Sequence, residues 1–188
     1  MSPNTATLID AGLAVFAAIA LYFQYYISAV VFIQLFGIWS CVDGEVARLS
    51  GKTSTLGDFY DTMVDRASEL IIVAGILFSF DGVLSTPLWQ PLLFAYIGAI
   101  FLITNSSEKY RSAYQSSYPK RRVEHLFSWT CAGSDIRFLH LSIAIVWFVV
   151  TGNPFILFWL IALMTLALYI NFLFRLWKVF QIDQSISP

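Results

Sequence analysis

At 188 residues, with 58 % hydrophobic, 17 % aromatic and only 12 % charged side chains, the chain departs from soluble domains, which carry about 25 % charged residues. A mean hydropathy of +0.71 agrees, and a net charge of −1 gives no basic excess for nucleic acid. Cys41 and Cys131 match no metal or redox spacing, and the N-terminus lacks the basic region and cleavage site of a signal peptide, so its apolar segment reads as a retained span.

A spanning helix takes about 20 mostly apolar residues. Six segments qualify in chain order: residues 6–24, 27–48, 57–80, 88–107, 136–151 and 154–177. Turn or polar signals separate them, among them Asp81-Gly82, Tyr118-Pro119 and Gly152-Asn153-Pro154. The expected fold is all-α, a polytopic membrane bundle of six transmembrane helices, with residues 1–188 forming a single integral membrane domain. The polar stretch 109–135, with Lys120, Arg121 and Arg122, is expected to lie along one membrane surface as a short amphipathic segment. Six alternating spans put every Lys and Arg at or near one face. The positive-inside rule makes that face cytoplasmic, with both termini inside a multi-pass cell-membrane protein.

The second and third spans carry charges that a bilayer disfavours: Asp43, Glu45 and Arg48, then Asp58, Asp61, Asp65 and Arg66. A carboxylate at helix centre costs about 3 kcal/mol, so it normally faces a polar cavity and has a partner. Gly57, Asp61 and Asp65 recur every four residues and share one helix face. Asp43 and Ala47 form a matching stripe on the preceding span. Asp43, Asp61 and Asp65 can then converge on a divalent cation. Oxygen ligands of this kind suit Mg²⁺ or Mn²⁺. Intramembrane ion pairs, Asp43 with Arg48 or Asp65 with Arg66, are the competing explanation.

These residues resemble the signature of the CDP-alcohol phosphotransferase family, D-x2-D-G-x2-A-R-x8-G-x3-D-x3-D. Asp43, Gly44, Ala47, Arg48, Gly57, Asp61 and Asp65 match at every spacing after the first position, which falls on Ser40. Pro3-Asn4-Thr5-Ala6-Thr7 is similar to the P-N-x-x-T opening of the family's first helix. Three readings of Ser40 stay open: it ligates weakly or through water, Asp58 compensates, or the chain is a catalytically impaired relative that binds CDP-lipids.

The resemblance implies an enzyme of phospholipid biosynthesis, a transferase with a two-metal Mg²⁺ or Mn²⁺ site held by Asp43, Asp61, Asp65 and Ser40. It implies Asp65 as the catalytic base, and Asn4, Thr5, Ala6, Thr7, Gly44, Arg48 and Ser54 around the CDP part of the donor. The implied donor is a CDP-linked lipid such as CDP-diacylglycerol, the acceptor a small polar alcohol such as inositol phosphate or glycerol phosphate, and CMP leaves. CDP-inositol with inositol phosphate is the alternative pair, and a homodimer among membrane lipids stays open. Gly133-Ser134-Asp135-Ile136-Arg137 looks like the G-R-D-x-R run of inositol-phosphate-using relatives, which points to Arg137 as an acceptor-phosphate contact, with Lys109 and Arg111 as further candidates. The competing role for Arg137 is a helix-end pair with Asp135.

Overall fold

The computed structural model describes residues 3–49, 55–84, 86–130 and 133–186, without the side chains of residues 3, 4, 6, 41–49, 55, 58, 121, 122, 128, 129 and 184–186. Among the described residues all regular structure is helical. The elements are α1 (Pro3–Tyr22), α2 (Tyr26–Leu49), α3 (Thr55–Phe80), α4 (Trp89–Tyr114), α5 (Lys120–Val123), α6 (His125–Thr130), α7 (Ser134–Thr151) and α8 (Phe155–Ile186). Each of the six expected spans falls on one of the six long helices.

Local chemistry sets the breaks. α1 opens on Pro3, whose fixed φ and missing N–H suit a first turn, and closes before Gln24 at φ 61. Gly152, at φ 68, ends α7 by giving its N–H to the carbonyl of Phe148, a left-handed close that glycine adopts without steric penalty. Asn153 then accepts the N–H of Phe155 at 3.0 Å, capping α8 directly after α7.

Two helices run further than the hydropathy pattern. α4 continues past residue 107 to Tyr114 along its packing partner α8, and the hydroxyls on the way are satisfied locally, Thr104 by the Ile100 carbonyl, Ser106 and Ser107 by that of Ile103. α8 continues past residue 177, and Asp183 near its end accepts the hydroxyl of Tyr114 at 3.0 Å. The expected surface segment therefore begins later than residue 109, and it holds α5 and α6.

α1 packs on both α2 and α3, α4 packs along α8, and α7 joins the two groups through α2 and α8. α1 and α3 approach backbone to backbone: a methyl at Gly75 would lie 2.9 Å from the Ala18 Cα. Such contact between small residues is how helices associate where water supplies no hydrophobic drive. At the end of the bundle opposite the charges, Tyr26, Phe80 and Phe148 interlock with centroids 5.0–5.4 Å apart. Large apolar side chains face outward around the bundle, Phe78, Phe94, Val150 and Trp159 among them, a surface that soluble proteins avoid. By length and composition, Ser134–Thr151 and Phe155–Asp183 can each cross a membrane, and Thr7–Tyr22 and Tyr26–Ser40 are shorter apolar helices.

Candidate functional site

Polar side chains from α1, α2 and α3 meet at one level. Ser40, near the end of the apolar run of α2, donates its hydroxyl to Asp65 Oδ1 of α3 at 3.3 Å. Asp65 also shares a hydrogen bond with the carboxyl of Asp10 on α1, and Asp61 and Arg66 are its charged neighbours. Asp10 is 1 % exposed, while Ser40, Asp61 and Asp65 are half-buried. Thr7, also half-buried, stands nearly one turn before Asp10, and Thr5 is exposed.

Of the expected site residues, the structure therefore brings Ser40, Asp61 and Asp65 together. The side chains of Asn4, Ala6, Asp43, Gly44 and Arg48, and all of Ser54, lie outside the described residues. Oxygen is the only donor type contributed by Ser40, Asp10, Asp61 and Asp65, and hard oxygen donors fit Mg²⁺ or Mn²⁺. Among the described residues, no three His, Cys, Asp or Glu side chains form a metal cage; the expected set also includes Asp43.

The next turn of α3 continues the stripe with Glu69, which the signature does not contain. Glu69 is 3 % exposed and Arg137 of α7 is 2 % exposed. Glu69 Oε1 accepts Nε of Arg137 at 2.9 Å and its Nη2 as well, and Oε2 accepts Nη1 of Arg66 at 2.7 Å. Arg137 thus reaches α3, a partner far from the Asp135 weighed in sequence. Lys109 and Arg111 stand on the exposed face of α4.

A second buried pair lies further along the same face of the bundle. Arg175 of α8 meets Glu124, between α5 and α6, through Nε at 2.7 Å and Nη2 at 2.6 Å. Its Nη1 donates to the Ile103 carbonyl and to Ser106 and Ser107 on α4. The Tyr118 ring lies 4.7 Å below the guanidinium carbon. Lys120 keeps exposed surface, yet the protein crowding its ammonium penalises the charged form. That desolvation, with repulsion from Arg175, Arg66 and Arg137, holds Lys120 below the ordinary lysine pKa, and Glu124 partly offsets it. Burial pushes the Tyr118 phenol up, and the Glu124 charge adds to this.

Sequence reasoning missed Asp10, Glu69, Glu124 and Arg175 as members of this region, and weighed the segment of Lys120 between a lipid-facing loop and a substrate contact. The rule that singled out Asp61, an ionisable group inside an apolar run, applies equally to Asp10. The four-residue repeat that joined Gly57 to Asp65 reaches Glu69 in one more step. Nothing in local spacing joins Arg175 to Glu124.

The geometry sets a half-buried acidic centre beside a buried group of guanidiniums. On the outer side of α1 and α3 lies an apolar groove of about 310 Å³, lined by Val15, Ala18, Ile19, Tyr22, Phe23, Ile71, Ala74, Gly75 and Phe78. The sequence profile of CDP-alcohol phosphatidyltransferases matches residues 1–180. The bifunctional IPC transferase and DIPP synthase of Archaeoglobus fulgidus is 29 % identical over 124 residues, 65 % of this chain and 24 % of that protein. The archaetidylinositol phosphate synthase of Pyrococcus horikoshii is 33 % identical over 76 residues, 40 % of each chain. The chain thus spans about a quarter of the first relative's length and two fifths of the second's. The crystal structure of Mycobacterium tuberculosis phosphatidylinositol phosphate synthase in apo form superposes with a TM-score of 0.72 at 18 % identity, covering 96 % of this chain and 90 % of that one. A profile match running from the first helix into the last, over the same residues that carry the acidic stripe, makes this chain a member of the CDP-alcohol phosphatidyltransferase family.

Proposed function

We propose that the chain transfers a phosphatidyl group from CDP-diacylglycerol to a hydroxyl of a phosphorylated polyol, inositol phosphate or glycerol phosphate, and releases CMP. The observation that carries this is the order of charges along α3: Asp61 and Asp65, then Arg66 and Arg137 gathered on Glu69. Successive members of the stripe are about 6 Å apart along the helix. An acceptor with a hydroxyl at one end and a phosphate at the other matches that order. The name of one archaeal relative, archaetidylinositol phosphate synthase, agrees with such an acceptor.

Asp65 takes the proton of the acceptor hydroxyl, which lies within reach if the acceptor phosphate sits on the arginines. The acceptor oxygen forms a bond to the β-phosphorus, and the bond from that phosphorus to the bridging oxygen breaks. Its electron pair leaves on CMP. Mg²⁺ or Mn²⁺, held by Asp43, Asp61 and Asp65 with Ser40 beside them, would neutralise the pyrophosphate and the leaving phosphate. Arg48, Gly44, Ser54 and the segment Asn4–Thr7 hold the cytidine and its phosphates. Arg137 takes the acceptor phosphate, with Lys120 adding charge. Arg66, Arg137, Arg175 and Lys120 gather on the side of the acidic centre away from Asp61, which suits an acceptor with its anionic end there. The apolar groove begins about 9 Å beyond Asp65, measured as the rise from Asp65 to Ile71, a depth suited to an acyl chain. This favours the lipid donor over CDP-inositol. All six long helices cross the membrane, with both termini and the acidic site at the cytoplasmic face, as the basic residues require.

The test follows CMP release by purified protein with CDP-diacylglycerol, Mg²⁺ or Mn²⁺, and a panel of phosphorylated and free polyols. Turnover is expected with the phosphorylated acceptors and is expected to fall at least 100-fold in Asp65→Asn. Turnover of Asp65→Asn within tenfold of the unaltered chain would exclude Asp65 as the base. Ser40 supports a second reading, a CDP-lipid-binding relative with weakened turnover. A large gain in Ser40→Asp marks that case.

A further inference from the structure

Glu69 is the deepest carboxylate of the α3 stripe, and the family signature ends before it. A buried carboxylate is tolerated when paired and hydrogen-bonded. Glu69 goes beyond that need. One oxygen serves Arg137 and the other serves Arg66, so one negative charge gathers two guanidiniums. A seam between helices would need only one cation. α7 packs along α2 and α8, so the Arg137 side chain crosses to α3 to make this contact. Arg66 is also a charged neighbour of Asp65, so the carboxylate of Glu69 ties both guanidiniums to the turn of α3 that follows the acidic centre.

We infer that Glu69 is a positioning residue that fixes how far the acceptor's phosphate sits from the base. It holds Arg66 and Arg137 on the α3 face, about one helical turn beyond Asp65. The acceptor class that fits is a phosphomonoester of a compact polyol, with hydroxyl and phosphate separated by about that rise. An acceptor without phosphate leaves the arginines on Glu69 and gains nothing from them. Pre-organising two planar forks reduces the ordering cost of phosphate binding. This rests on the transferase reading above and adds a ruler to it.

Glu69→Gln keeps the size of the side chain and removes its charge; Glu69→Asp keeps the charge and shortens the reach. KM and kcat are measured by CMP release for inositol phosphate, glycerol phosphate and free inositol, with the KM for CDP-diacylglycerol alongside. Inositol phosphate binding to donor-free protein is followed by titration calorimetry. Glu69→Gln is expected to raise the KM for phosphorylated acceptors and their dissociation constant at least tenfold, with donor KM within twofold and kcat lowered no more than threefold. Glu69→Asp is expected to restore part of the affinity and to change the ratio of inositol phosphate to glycerol phosphate turnover. An acceptor KM within twofold of the unaltered chain in both variants overturns the inference and leaves the transferase reading standing. So does equal loss toward every substrate accompanied by a lower melting temperature, the mark of a structural pair. If the unaltered chain prefers free inositol over its phosphate, the phosphorylated acceptor is wrong and the role of Glu69 falls with it.

Discussion

Lys120 illustrates how a residue that looks like a solvated surface lysine acquires a different charge behaviour. In the sequence it belongs to the run Lys120-Arg121-Arg122, which reads as a lipid-facing loop. The fold places its ammonium in the field of Arg175, Arg66 and Arg137, and desolvation with these charges depresses its pKa. A depressed lysine loses its proton at a lower pH than an exposed one. Attraction for the acceptor phosphate should therefore weaken on the alkaline side as pH rises through that lowered pKa. The acceptor KM is expected to climb over this range, the donor KM to stay level, and Lys120→Gln to remove the alkaline rise while increasing KM at neutral pH. Profiles of KM against pH for the two proteins check this. At this scale the four-residue repeat put Asp61 and Asp65 on one face of α3, and the family resemblance added Ser40, whose hydroxyl reaches Asp65. It named Arg137 without its partner, since Glu69 lies 68 residues away and side-chain reach between distant helices leaves no trace in spacing.

Among the elements, the short helices α5 and α6 depend most on others. They are too brief to be stable alone, and their anchor is Glu124 held by Arg175. Both side chains are at most 1 % exposed. Removing one partner of a buried pair leaves an uncompensated charge and costs about 3–5 kcal/mol. Glu124→Gln is expected to lower the melting temperature in detergent and to open residues 115–130 to protease while the long helices stay intact. A melting temperature unchanged by this substitution would remove the pair as the anchor. Hydropathy located the six long helices to within a turn at most ends. It stopped α4 and α8 too early because hydropathy measures apolar character, whereas these helices continue packed on each other, with Tyr114 bonded to Asp183.

The whole molecule has an acidic centre at one end, an aromatic lock at the other and an apolar groove along α1 and α3 between them. Ala74 lines that groove. Filling it with Ala74→Phe is expected to raise the KM for CDP-diacylglycerol severalfold while leaving the acceptor KM and the inhibition by free CMP unchanged. Kinetics in mixed micelles checks this; an unaltered donor KM would detach the groove from the donor. The all-helical layout was legible because the length of the apolar runs and the breaks between them are spread along the whole sequence. The groove was not, because it arises where small residues of two helices happen to stack. Gly75 and Ala18 form its floor, with no room between them for even one further methyl. An acyl chain resting there cannot slip through the wall to reach the bundle interior. With the proposed lipid donor, the tail would stay in the surrounding leaflet from arrival to departure, and the groove would serve as a shelf without a hatch into the bundle.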